Sequence, residues 1–285
     1  MAAVELKRAG RISYREAFPD EPGDLPPVVL VHGFPESSRM WGALMEALAA
    51  DGRRSVAPDL YCLGDSEDPG PATFERNLEA LTEFQRELGL GRVAVVVHDW
   101  GGFIGLAWAS ENPHLVEALV ISDAGFFSDG KWHGMAKLLR SEQGEEIIGS
   151  LERDGFGGLL RAEGAGFSED DVDAYWRPFE HGRGREATLE FYRSMDFSKL
   201  APYEDGLATL GVPTLLLWGA EDKFAPMAAA HRFQRRIPDA QLIAIEGAGH
   251  FVYETESERC ASAVVGFLSG RARCGGPSTT PRRAG

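Results

Sequence analysis

Cysteine is scarce in this chain: only Cys62, Cys260 and Cys274 are present. Odd in number and widely spaced, they form neither a disulfide framework nor a CxxC metal clip, and they read as ordinary thiols. No apolar run is long enough to span a membrane. The first residues, Met1 to Gly10, carry Glu5, Lys7 and Arg8 where a secretory signal needs an apolar stretch, so the expectation is a cytoplasmic protein. Basic charge is also short, with 29 Lys and Arg against 44 Asp and Glu and a formal net charge of −15. That field repels phosphate backbones and anionic lipid, and no basic cluster interrupts it before the tail 271–283. Nucleic acid and membrane are excluded as partners on this ground. Internal repeats are missing too. What remains is 285 residues with the composition of a globular protein, enough for one large domain or two small ones.

Short apolar, β-branched runs occur at 28–31, 93–97, 118–121, 214–217 and 241–245, most without period-two alternation. Such runs suit strands buried on both faces. Helical patterns lie between them, such as Phe74, Leu78, Leu81 and Leu88 with charges interspersed, and residues 40–50 following Ser37 and Ser38. Alternating strand and helix predicts an α/β fold, a mainly parallel, doubly wound sheet covered on both sides. The alternation stops at about residue 124, where Gly-rich loops separate helical stretches carrying Trp132, Tyr175, Trp176, Phe191 and Tyr192. The predicted organisation is a core in two parts, 1–124 and 206–269, with an inserted helical cap at 125–205. The tail 270–285, rich in Gly, Pro and Arg, is expected to be disordered. The acidic run Glu169, Asp170, Asp171 and Asp173 reads as a solvated helix face rather than a cation site.

Residues 93–102 read VAVVVHDWGG: a buried strand, then His98-Asp99-Trp100, then two glycines opening a helix rich in small residues. A sharp strand-to-helix turn of this kind needs small neighbours and lifts its apex side chain to the carboxyl edge of the sheet. The apex here is Asp99. A carboxylate that attacked an ester or amide would form a reactive anhydride, whereas displacement at an sp³ carbon gives an ordinary ester that water later hydrolyses. The residue types therefore point to a substrate with a strained or leaving group on alkyl carbon, and the alternative for Asp99 is a helix cap. His250 follows the run 241–245, and Asp222 follows 214–217. The chain order is nucleophile, acid, base, with all three at strand ends. Asp123, after 118–121, is an alternative acid. In VLVHGFPES the backbone N–H of Phe34, with that of Trp100, is placed to bind an oxyanion, and His32 reads as a residue that orients the loop. The remaining histidines show no ligand spacing, so no metal or cofactor is implied.

Together HGFP, HDWGG, WGAED and GHF resemble the α/β-hydrolase superfamily, in particular its epoxide hydrolase and haloalkane dehalogenase branch, over residues 28–268. The resemblance implies an α/β-hydrolase fold with a helical cap and a small-molecule substrate consumed with water. Phe191-Tyr192-Arg193 is similar to the W/Y-Y-R segment that carries a lid tyrosine in epoxide hydrolases, which makes Tyr192 the expected ring-opening donor. A phenol with a pKa near ~10 stays protonated at neutral pH and can stabilise an emerging alkoxide. Trp100, Tyr175 and Trp176 are expected in the substrate pocket. Epoxide hydrolysis is thus the first expectation. Haloalkane dehalogenation is the alternative, with Trp100 as one halide donor and Trp132 or Trp176 as the second, since Phe34 stands where an Asn commonly serves. Fluoroacetate dehalogenases resemble HDRGGR, and no Arg follows the nucleophile here. A non-catalytic binding protein of the same fold is the remaining alternative, although such relatives often lose the nucleophile or base and this chain keeps both.

Overall fold

In the computed structural model the described residues are 3–270, apart from 22, 68, 69, 165 and 238. The chain begins with an antiparallel pair, β1 (Val4–Ala9) and β2 (Ile12–Ala17), and then alternates strand and helix. The succession is β3 (Val28–Val31), α1 (Gly42–Ala50), β4 (Ser55–Pro58), α2 (Phe74–Glu87), β5 (Val93–His98), α3 (Trp100–Glu111) and β6 (Val116–Ser122). Five helices follow without a strand: α4 (Gly134–Arg140), α5 (Gly144–Ser150), α6 (Arg153–Ala162), α7 (Glu169–His181) and α8 (Gly184–Ser194). The alternation resumes with α9 (Ala201–Thr209), β7 (Thr214–Gly219), α10 (Met227–Arg236), β8 (Gln241–Ile245), α11 (Val252–Thr255) and α12 (Ser257–Leu268).

The eight strands form one sheet in the order β1-β2-β4-β3-β5-β6-β7-β8, parallel from β4 to β8. Its uniformly apolar strands have a simple cause. Val29, Val31, Val95 and Val97 join one core with α2 and α3, while Val28, Leu30, Ala94 and Val96 join another with α1 and α12. Both faces are covered, so both sets must be apolar. Each such valine gives roughly 1.5–3 kcal/mol over leaving it in water. The antiparallel strands β1 and β2 escape this rule: β1 is a half-exposed edge, with Leu6 49% exposed, and gives no buried run.

The helices α4 to α8 lie between β6 and β7, inside the sheet's connectivity. The expected boundary at 205 falls within α9, which packs against α3, where the Ser110 hydroxyl donates to the Tyr203 carbonyl at 3.0 Å. The acidic run opens α7 and is more than a solvated face. Ser168 and Asp171 form a capping box, Asp171 also accepts from Arg39 Nε at 2.8 Å, and Asp173 accepts from Arg153 Nε at 2.7 Å. Cys62 and Cys260 are buried, and Cys274 and the tail from 271 lie outside the described residues. No described helix is long and apolar enough to cross a membrane.

Candidate active site

Five strand ends converge on one point. Gly33 follows β3, Asp99 follows β5, Asp123 follows β6, Asp222 follows β7 and His250 follows β8. The carboxyl edge of a parallel sheet is where doubly wound folds place their sites. Asp99 occupies a turn with φ of +47°, a region that side chains rarely enter. The turn is held by the Gly102 N–H donating to the Asp99 carbonyl at 2.9 Å. Glycine makes room for it twice. A Cβ on Gly101 would lie 2.1 Å from the Val31 carbonyl oxygen, and one on Gly33 would lie 2.5 Å from the Asp99 Cβ.

The two Asp99 oxygens are differently engaged. Oδ1 accepts from the Phe34 backbone N–H at 2.8 Å, and Oδ2 lies 3.4 Å from His250 Nε2. Burial works against the Asp99 charge, but the hydrogen bond and charge of His250 prevail and hold its pKa below the usual carboxylate range. On its other side, His250 Nδ1 lies 2.8 Å from Asp222 Oδ2. Asp222 Oδ1 accepts from Phe224 N–H at 2.7 Å and Ala225 N–H at 2.9 Å, which fixes the carboxylate. Its pKa is about 2, because the adjacent imidazole and these donors overcome burial. Burial disfavours the imidazolium of His250, yet Asp222 and Asp99 outweigh it and hold the pKa well above its ordinary value.

Asp123 is also here, at φ +46°, with Oδ1 accepting from Gly219 N–H at 2.9 Å. Burial and the Asp222 charge push its pKa well up, so it sits as a neutral acid beside the Asp222 carboxylate. Atoms of Asp123, Asp222 and His250 come within 4.8 Å of one another, but Asp222 and His250 are already bonded to each other rather than open to a cation. His32 accepts from the Leu60 N–H through Nε2 at 2.9 Å and meets the Gly33 carbonyl through Nδ1 at 2.7 Å. That pair of contacts fixes a neutral ring with its proton on Nδ1, orienting the loop.

A cavity of about 230 Å³ opens at Asp99 and His250, with walls from Met135 and Leu139 of α4, Ile148 of α5, Phe156 of α6 and Tyr192 of α8. Tyr192 is 4% exposed. Burial and the Asp99 charge raise its pKa, opposed by an indole hydrogen bond from Trp100, so it remains a phenol. Trp100 lies between Phe34 and Phe191, stacked at 4.6 and 3.8 Å between ring centroids, and meets Tyr192 edge-on at 4.9 Å. Trp132 packs against Tyr192 at 5.3 Å.

Two expected pocket residues are elsewhere. Helix α7 turns Tyr175 toward α11, where its hydroxyl donates to Glu254 Oε1, and Trp176 stacks on Phe179 at 5.8 Å. Neither lines the cavity at Asp99, so the expectation of Tyr175 and Trp176 as pocket residues is corrected: their faces of α7 pack into the core. Sequence reasoning passed over a second buried pair. Glu36 Oε2 lies 3.4 Å from His98 Nε2, and the His98 ring centroid is 4.9 Å from that of His250. Burial and the His250 charge bring His98 down to about 3, and burial pushes Glu36 well up, so the pair is neutral. The signal was present: an acid and a histidine inside otherwise apolar or small-residue motifs, HGFPES and VVVHDW.

The α/β hydrolase fold family matches residues 26–257. A haloalkane dehalogenase of Sphingobium indicum is 30% identical over 293 residues, 93% of this chain and 94% of that protein. A cis-3-alkyl-4-alkyloxetan-2-one decarboxylase of Xanthomonas campestris pv. campestris is 26% identical over 273 residues, covering 87% and 89%. Among solved structures, haloalkane dehalogenase DbeA from Bradyrhizobium elkani superposes with a TM-score of 0.83 over 96% of this chain and 99% of that one, at 22% identity.

Proposed function

The chain belongs to the α/β-hydrolase superfamily, in the branch that contains the haloalkane dehalogenases, and from that premise we propose that it hydrolyses carbon–halogen bonds. The carrying observation is the asymmetric engagement of Asp99. Oδ1 is held by the Phe34 N–H, which leaves Oδ2 to attack. In the first step Oδ2 bonds to the substrate carbon, and the halide leaves with the electron pair. The Tyr192 O–H is the donor that receives it, with the Trp100 indole N–H donating to the Tyr192 oxygen behind it and Tyr192 supplying the donor that Phe34 lacks. In the second step His250 Nε2 takes a proton from water, which attacks the ester carbonyl. The oxyanion forms on Oδ1, where the Phe34 backbone N–H already sits and the Trp100 backbone N–H joins it. Collapse releases the alcohol and restores the carboxylate.

The same geometry times the base. While Asp99 is an anion, it holds the His250 proton. Forming the ester removes that charge and lowers the His250 pKa, so the ring gives its proton to solvent and stands as a neutral base when water must be activated. Asp222 keeps the imidazole oriented throughout.

The expectation of an epoxide hydrolase yields first place to the halide, because relatives at 30% identity over nearly the whole chain carry the dehalogenase name. Epoxide opening is the second reading. Tyr192 favours it, since a buried phenol beside the nucleophile can protonate an alkoxide. The deciding experiment assays bromide release from 1-bromobutane and diol formation from styrene oxide in parallel. Bromide release exceeding diol formation by tenfold or more in kcat/KM supports the proposal, and the reverse order installs the epoxide reading. With 1-bromobutane, Tyr192→Phe should lower kcat/KM by about 10- to 100-fold, the worth of one hydrogen bond to a charged group.

A further inference from the structure

Asp99 is reached from two sides. The first cavity, about 230 Å³, has the mainly apolar walls described above. A second, about 320 Å³, runs from Asp99 and Trp100 over Phe103, Trp132 and Phe197 toward α10, where Ala229 and Arg232 line it. His133 and Phe224 line both. Their rings meet edge-on at 5.0 Å between centroids and form the partition. Asp123, Lys131 and Arg232 also line the second cavity, yet its floor is aromatic: Phe103, Trp132 and Phe197 pack on one another with centroids 4.8–5.9 Å apart.

In-line displacement sets what such a site can hold. The leaving group must point away from Asp99 Oδ2, so the other substituents of the attacked carbon spread sideways from the line of attack. A terminal carbon carries one chain and fills one cavity. An internal carbon carries two, which diverge from the point where the cavities meet. We propose that the substrate of this enzyme bears its leaving group on an internal carbon, with one apolar substituent on each side of the His133–Phe224 partition. This rests on Asp99 as the attacking group and deepens the reading above by fixing the shape of the substrate.

Inert ketones test the shape without requiring turnover, the carbonyl oxygen standing where the leaving group would. Binding of 4-heptanone and 2-heptanone is measured by calorimetry on the wild-type protein and on Ala229→Phe, which narrows the second cavity alone. A two-armed site binds 4-heptanone within about threefold of 2-heptanone. In Ala229→Phe the ratio turns at least tenfold against 4-heptanone, with binding of 2-heptanone in the same variant reporting that the fold is intact. A wild-type preference of tenfold or more for 2-heptanone, a ratio that Ala229→Phe leaves unmoved, or no binding of either ketone overturns the proposal. In the first two cases the second cavity is a route for water and product only. Bromide release from 4-bromoheptane and 2-bromoheptane separates the two claims. If the ketone pattern holds and neither bromide is turned over, the dehalogenase reading fails while the two-armed site stands.

Discussion

His250 stands between two carboxylates, and the two differ in what they ask of it. Asp222 is buried, doubly capped by backbone N–H groups and bonded to Nδ1, so its role is to fix the ring and its tautomer. Asp99 faces Nε2 and is the group that changes during reaction. Asp123 is a neutral acid pressed against Asp222 and makes no bond to the ring. The two candidate acids are therefore separable by substitution. Asp222→Asn should lower turnover by about 10³- to 10⁴-fold, as loss of the orienting carboxylate does in comparable triads. Asp123→Asn should cost less than tenfold, because an amide can still hydrogen-bond to Gly219 and to Asp222. Steady-state kinetics on both variants checks this, and the opposite ranking would exchange their roles.

At the scale of elements, the elbow between β5 and α3 is what makes Asp99 available, and two glycines maintain it from different directions. Gly101→Ala drives a Cβ into the Val31 carbonyl, a clash between α3 and the backbone of β3. It should cost about 1–3 kcal/mol and lower Tm by several degrees, at ~2–4 °C per kcal/mol. Gly33→Ala meets the Asp99 side chain instead. It should leave Tm nearly unchanged while kcat/KM falls about 10²-fold, since a misplacement of about 1 Å suffices for that loss. Thermal melts and kinetics on the pair separate the two effects, and equal behaviour in both would refute the assignment. This elbow was legible from sequence because its constraint is local: a β-branched run, an apex residue and small neighbours in a fixed order. Asp222 and His250 were legible for the same reason, each standing just past an apolar strand. The strand β1 was not, because an edge strand alternates weakly and leaves no buried run, and β2 was not, because its buried stretch carries Ser13, Arg15 and Glu16 among its apolar residues. Nor was the inward turn of Tyr175. Which face of a cap helix meets the cavity depends on packing between α7 and α11, and aromatic residues serve both faces equally well.

Charge belongs to the molecule as a whole. A net charge of −15 and an apolar cavity ending at a carboxylate both disfavour an anionic substrate. Phe103 stands where a carboxylate-binding Arg would be needed. Bringing a second carboxylate beside Asp99 without a partner costs at least ~3 kcal/mol, or about 10²-fold. Bromoacetate should therefore show a kcat/KM at least 10²-fold below that of 1-bromobutane, with the gap narrowing as salt is raised. Turnover of both at equal rates would mean that the site contains an anion-binding group. The central claim, that Asp99 carries the substrate as an ester which His250 must clear, is tested most directly by intact-mass spectrometry of His250→Gln after exposure to 1-bromobutane. The protein should be heavier by one butyl group, with peptide mapping placing it on Asp99. An unmodified mass after exposure to a bromide that the wild type turns over, or an adduct on any other residue, would contradict it.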